Sequence, residues 1–190
     1  TAEPPQILDS IGASADASYV ELETCFAWGD RLAALGSYIG WTKAGQGSTL
    51  PERRTFYWLR VMDQFGTAIF DRSYPSASPG LSPDPRYGVA VRVMSGRIIV
   101  SATDNKDTDL MSISDAGLLL SSRRMAGPYR LIRGTEDATQ SVRLFEGRRG
   151  GDTRGQPVVL TLAVDLTERD RQAASLDAAY FTTFLYQTAD

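Results

Sequence analysis

The stretch GVAVRVMSGRIIVSAT, residues 88–103, decides the fold class. Val89, Val91 and Val93 recur at every second position, Ser95-Gly96 supplies a two-residue turn, and Ile98, Ile99 and Val100 resume the β-branched run. Two such runs joined by a tight glycine turn form an antiparallel hairpin. Toward the C-terminus LMSIS (110–114), GLLLSSRR (117–124), YRLIR (129–133) and SVRLFE (141–146) follow at intervals of about ten residues, the rhythm of a sandwich or barrel. Val158, Leu160, Leu162 and Val164 then alternate as a further strand. Toward the N-terminus Val20, Leu22, Phe26 and Trp28 fall on even positions while Glu21 and Glu23 face the other way, the period of a half-buried strand. TFYWLRVMDQ (55–64) turns at Phe65-Gly66 into TAIFDR (67–72), and its apolar residues on both faces predict a central strand covered on two sides.

One or two short helices are expected beside these strands. Leu32, Leu35 and Ile39 stand at spacings of three and four within residues 31–39, with Gly36 and Gly40 interrupting, and residues 167–179 open on Thr167, Glu168 and Asp170 as a first turn would. The closing AAYFTTFLYQ (178–187) reads as a last strand, and no internal repeat is apparent. The sum is a mainly β chain, an antiparallel β-sandwich or barrel-like domain of about ten strands, with an α+β sensor fold as the alternative. Pro4-Pro5 marks residues 1–10 as a linker or arm, and residues 11–190 read as a single β-rich domain. The loop 73–87 holds four prolines in fifteen residues and offers a seam.

Composition narrows the chemistry. The chain has 190 residues, a net charge of −3 and no histidine, which removes the commonest general base, the commonest metal ligand and every Ser-His or Cys-His catalytic arrangement. Its acidity argues against general nucleic-acid binding, and no apolar run reaches the length of a bilayer span. Cys25 is the sole cysteine, so no internal disulfide forms; within VELETCFAW it reads as a small buried hydrophobe. TAEPPQ lacks the basic and apolar regions of a signal peptide and no Met precedes it, which reads as an excised or processed piece.

Two side-chain clusters are candidate sites. Arg148, Arg149 and Arg154 sit on a glycine-rich loop after Arg143, and guanidinium forks of this kind clamp carboxylates, phosphates or sialylated glycans. Asp104, Asp107 and Asp109 could approach a hard cation, yet the loop glycine and terminal Glu of an EF-hand are missing and Lys106 stands among them, so a solvated turn is the reading adopted. Nucleophile motifs and phosphate-cradling loops are absent from the sequence, and no cofactor is expected. An enzyme ranks third among the functions considered.

Three resemblances bear on function. Residues 155–176, GQPVVLTLAVDLTERDRQAASL, with Asp165-Leu166-Thr167-Glu168-Arg169 at their centre, resemble the closing strand and exit helix of PAS-type sensor domains. FYWLRVMDQFGTAIFDRSYP (56–75) is similar to the RV-x-D-x-x-G strand-turn-strand of extracytoplasmic histidine-kinase sensors. Those resemblances imply a small anion or metabolite held against an inner sheet face near Arg130, Arg133 or Arg143. In layout the chain also resembles a viral capsid or surface-projection domain, with a proline-bearing entry and the loops 43–50, 73–87, 104–109 and 147–156 as its variable surface. That layout implies a non-enzymatic assembly and recognition domain on a virion or outside the cell. It would self-associate and present its loops to a glycan or protein receptor.

Overall fold

Among the described residues the strands of each sheet pair in chain order, and the result is the same small sheet made three times. The computed structural model describes residues 20–41, 53–78, 89–94, 96–104, 106–131, 142–146 and 158–173. They form β1 (Val20–Trp28), β2 (Arg31–Trp41), β3 (Arg53–Met62), β4 (Ala68–Pro75), β5 (Val89–Met94), β6 (Arg97–Thr103), β7 (Asp107–Ser114), β8 (Leu119–Ala126), β9 (Tyr129–Leu131), β10 (Val142–Glu146), β11 (Val158–Leu162) and β12 (Glu168–Ala173). The strands assort into three four-stranded antiparallel sheets, ordered β1-β2-β3-β4, β5-β6-β7-β8 and β12-β11-β10-β9. Among the described residues there is no helix, so the fold is all-β and the α+β alternative falls.

Both expected helices are corrected. Residues 31–39 lie in β2, paired with β1 on one side and β3 on the other. There the glycine at 36 is no helix breaker; it is a gap in the sheet surface over which the Trp58 indole packs, with no room for a Cβ. Thr167 closes a turn and residues 168–173 form β12, held to β11; residues 174–179 of the expected helix and the expected strand AAYFTTFLYQ lie outside the described residues. Every residue of β12 is exposed, so it carries no alternating signal and is a strand only because β11 offers it a ladder.

The three sheets share a register. Met62 opposite Ala68, Ile113 opposite Leu119 and Leu162 opposite Glu168 each close the last hairpin, and a bulge interrupts the ladder immediately beyond that pair in all three. The turns match as well: Asp63 N–H donates to the Thr67 carbonyl at 2.9 Å, Ser114 N–H to Leu118 at 2.9 Å and Ala163 N–H to Thr167 at 2.8 Å. This is a type I turn followed by a left-handed residue. The left-handed position is taken by Gly66, by Gly117 and by Leu166 at φ 69°, spaced 51 and 49 residues apart. An internal repeat therefore exists where the sequence alone shows none. Both sensor-like stretches, 56–75 and 155–176, contain a copy of this one hairpin, and where the exit helix was expected the described residues form the strand leaving it.

Leu166 is the third copy's departure. A branched side chain in the left-handed region costs roughly 1–2 kcal/mol. It is held there because the side chain is buried in the core of the second and third sheets, with Ile99, Leu110, Leu131, Val142, Leu144, Leu160 and Leu162. Replacing Leu166 by Ala removes core contacts and keeps the strain, whereas Gly removes both. We expect Leu166→Gly to be more stable than Leu166→Ala by about 1 kcal/mol, the reverse of the usual order, with both below wild type. Urea unfolding of the two variants side by side measures it, and the ordinary order would contradict a strained Leu166.

The chain divides into two compact units, 1–82 and 83–190, at a boundary inside the proline-bearing segment. The first holds the β1–β4 sheet. Tyr57, Leu59 and Val61 of β3 are buried on one side and Trp58 on the other, as the two-sided run predicts. The second holds the other two sheets packed face to face. The inner strands β6 and β7 are buried along nearly their whole length on both faces.

Candidate functional site

Polar side chains concentrate where the second sheet hands the chain to the third. Thr103 and Thr108 face each other as the last pair of the β6–β7 ladder, both buried. Thr108 Oγ1 donates to the Gly127 carbonyl and accepts from the Tyr129 amide, both at 2.8 Å. Thr103 Oγ1 donates to the Tyr129 carbonyl at 2.8 Å. Each hydroxyl has one proton, and both protons go to backbone carbonyls, so the 3.1 Å approach of the two oxygens is packing within a clasp. Two threonines thus supply partners that the β8–β9 connection lacks.

The acidic turn beside this clasp is structural. Asp104 Oδ1 accepts from the amides of Lys106 and Asp107, both at 2.6 Å, which closes the turn. Asp107 Oδ2 pairs with Arg124 across the β7–β8 ladder at 2.6 Å, and that bond raises the affinity of the guanidinium for its proton. Asp109 is fully buried, opposite Arg124 in register. Asp104 and Asp107 therefore take separate tasks, and Asp109 is withdrawn from the solvated turn expected for the three. Among the described residues no group of three metal-ligating side chains converges.

A second polar set fastens the strained hairpin. Arg123 Nη1 donates to the Leu166 carbonyl at 2.8 Å, and its Nη2 lies 3.6 Å from Glu168. Glu168 in turn accepts from Arg171 Nε at 3.0 Å and Nη2 at 3.3 Å. The Arg171 bonds, then the charge of Arg123, hold the Glu168 carboxyl below its ordinary value. At the turn itself Asp165 accepts from the Thr167 hydroxyl at 2.7 Å and amide at 3.0 Å, which lowers its pKa in the same way.

In the first sheet Arg60 and Asp71 meet across the β3–β4 ladder, with Nη2 to Oδ2 at 2.7 Å and Nε donating at 2.8 Å. Farther along the same strands Tyr38 and Phe56 stack, centroids 5.1 Å apart. Trp28 and Trp58 are buried, so neither is a sugar platform. Cys25 is exposed, against the expectation of a buried thiol, because it lies on the open side of edge strand β1. On the same edge Ser37 Oγ donates to Glu23 Oε1 at 2.6 Å. Burial outweighs that bond, and with Glu21 nearby it pushes the Glu23 carboxyl up. A raised folded-state pKa favours folding below the unfolded value near 4.5 and loses that advantage as pH rises through the folded one. We expect Glu23→Gln to raise the melting temperature at pH 7 and to have little effect at pH 3.5, below the unfolded value. Melting curves at both pH values check it, and a lower melting temperature at pH 7 would contradict it.

Of the predicted anion site, Arg143 stands exposed on β10, and Arg148, Arg149, Arg154 and Arg133 lie outside the described residues. Arg130 pairs in register with Phe145, two residues from Arg143, so both arginines share one face of the third sheet with Phe145, Val159 and Thr161. That face is opposite the one bearing Leu131, Val142 and Leu144, so the two arginines line the outer side, away from the core where the sensor reading expected them. The Thr103–Thr108 clasp and the Arg123–Glu168–Arg171 set are not legible in the sequence, since the contacts that tie them to the next elements span from 19 residues, Thr108 to Gly127, to 43, Arg123 to Leu166. The Arg60–Asp71 pair was within reach, being fixed by the register of a hairpin whose turn was legible. No protein-family model, curated protein or solved structure matches this chain.

Proposed function

We propose that this chain is a non-enzymatic recognition and assembly module, in which a repeated four-stranded sheet is the scaffold and exposed sheet faces and connections are the binding surface. The observation that carries this reading is the hairpin made three times with one register and one bulge position. Sheets repeated in chain order bury their apolar faces against neighbours and leave polar connections free to vary. Meanders in chain order are the wiring of such a scaffold, whereas capsid jelly rolls use Greek-key crossovers. Presentation to a receptor, at a virion surface or elsewhere outside a cell, therefore rests on the scaffold and not on a capsid shell.

The partner chemistry this reading favours is an anionic glycan or acidic protein surface met by Arg130 and Arg143, beside Phe145. A sulfated and sialylated glycan array probed with wild type, Arg143→Ala and the double variant Arg148→Ala/Arg149→Ala tests it. We expect binding that weakens by about tenfold or more in the variants, the effect of losing a charge-assisted contact. Absence of binding to every anionic glycan, or binding unchanged in both variants, would remove the anion site.

A further inference from the structure

We propose that the face of the first sheet bearing Leu32 and Met62 is docked by a second copy of this chain, through the face of that copy's third sheet bearing Val159 and Thr161. This rests on the assembly reading above and gives it a surface. Register makes the argument. Leu32 opposite Met62, Ile98 opposite Ile113 and Val142 opposite Leu162 are equivalent pairs in the three sheets. Ile98, Ile113, Val142 and Leu162 are all 0% exposed, but Leu32 is 56% exposed. Leu22, opposite Gly36 on the same face, is 54% exposed, and Cys25, opposite Ala34, is exposed too. An apolar position covered in two copies of a repeat and open in the third marks a junction that lacks its neighbour.

The complementary face is on the third sheet. Leu59, Leu110 and Val159 are equivalent, each opposite the fourth-strand residue at 72, 123 or 172. Leu59 and Leu110 are fully buried, whereas Val159 and Thr161 are half-buried. Within the second unit a face of the Leu110 kind meets a face of the Val142 kind, forming one core. The first sheet offers an open face of the second kind and the third sheet an open face of the first kind, so two copies can repeat that junction head to tail. Gln172, at the position of Arg123, would then reach toward the Gly66 carbonyl as Arg123 reaches Leu166. A head-to-tail contact of this kind either closes on itself or runs on.

Sedimentation velocity of the whole chain over a concentration series tests the proposal. We expect a reversible dimer, weakened at least about tenfold by Leu32→Glu and separately by Val159→Glu, as burying an unpaired charge at an interface centre requires. Thr161→Arg stands in if Val159→Glu alters the circular dichroism or unfolding midpoint. Maleimide labelling of Cys25 should be slow in the dimer and fast in Leu32→Glu. A monomer at every concentration overturns the docking. A dimer lost with Leu32→Glu but indifferent to Val159→Glu and Thr161→Arg pairs two first sheets and overturns the head-to-tail contact. Arg130 and Arg143 share the Val159 face, so docking covers the anion surface and the two uses exclude each other: glycan binding that rises in the Leu32→Glu monomer supports both readings, whereas binding absent there overturns recognition and leaves the dimer standing.

Discussion

Thr108→Val should be the most destabilising conservative change in the second unit, lowering unfolding free energy by about 2–5 kcal/mol. Valine preserves the shape of threonine, so packing barely changes. What is lost is the hydroxyl that accepts from the Tyr129 amide and donates to the Gly127 carbonyl. Both backbone groups are then left without that partner next to buried residues, and each orphan costs about 1–3 kcal/mol. Thr103→Val strips one carbonyl of its donor and should cost about half as much. Thr108→Ser keeps the hydroxyl, loses one methyl and should stay within about 1.5 kcal/mol of wild type. Urea unfolding of the three variants decides it: valine and serine of equal stability at 108 would show that the clasp is incidental to the fold.

Gly36→Ala should be the most damaging single-methyl addition in the first unit, at about 1–3 kcal/mol. A Cβ there runs into Nε1 and Cε2 of the Trp58 indole and lies 2.5 Å from the Glu21 carbonyl. The indole is buried and the carbonyl belongs to the paired strand β1, so neither yields freely. Trimming the tryptophan should relieve part of the collision. In the double-mutant cycle with Trp58→Phe we expect the two changes together to cost less than their sum by about 1 kcal/mol. Tryptophan fluorescence and denaturant unfolding read both quantities. Strict additivity would mean that the backbone moves aside and Trp58 does not feel the methyl.

The first of these residues shows why sequence reading stopped where it did. Thr103 and Thr108 look like any threonines of a β-rich chain, and nothing local says that both hydroxyls reach a connection some twenty residues later. The hairpin turns, by contrast, were legible, because Phe65-Gly66 and Ser95-Gly96 carry the conformational requirement in the residue itself. β2 imitates a helix in sequence because Leu32, Leu35 and Ile39 satisfy helical spacing, and its glycines speak against helix and strand alike without the Trp58 indole that packs over one of them. β12 is illegible as a strand because an all-exposed strand has no apolar period. The repeat was hidden by its third copy. There the turn glycine is Leu166 and the capping carboxylate has moved from the first turn position, as in Asp63, to the third, as in Asp165.

For the candidate site, the sequence identified residue types but not their company. It named Arg143 and the three aspartates. Only the register put Arg130 beside Arg143 on an outer face, and only the turn geometry assigned Asp104 and Asp107 to structure. By itself the sequence determined a mainly β, antiparallel class, the places of its glycine turns and the exclusion of histidine chemistry, because alternation, φ > 0 and composition are properties of neighbours along the chain. Tertiary structure decided the threefold repeat, the left-handed Leu166, the threonine clasp and which apolar faces are covered, because each depends on what stands across a ladder or on the next sheet.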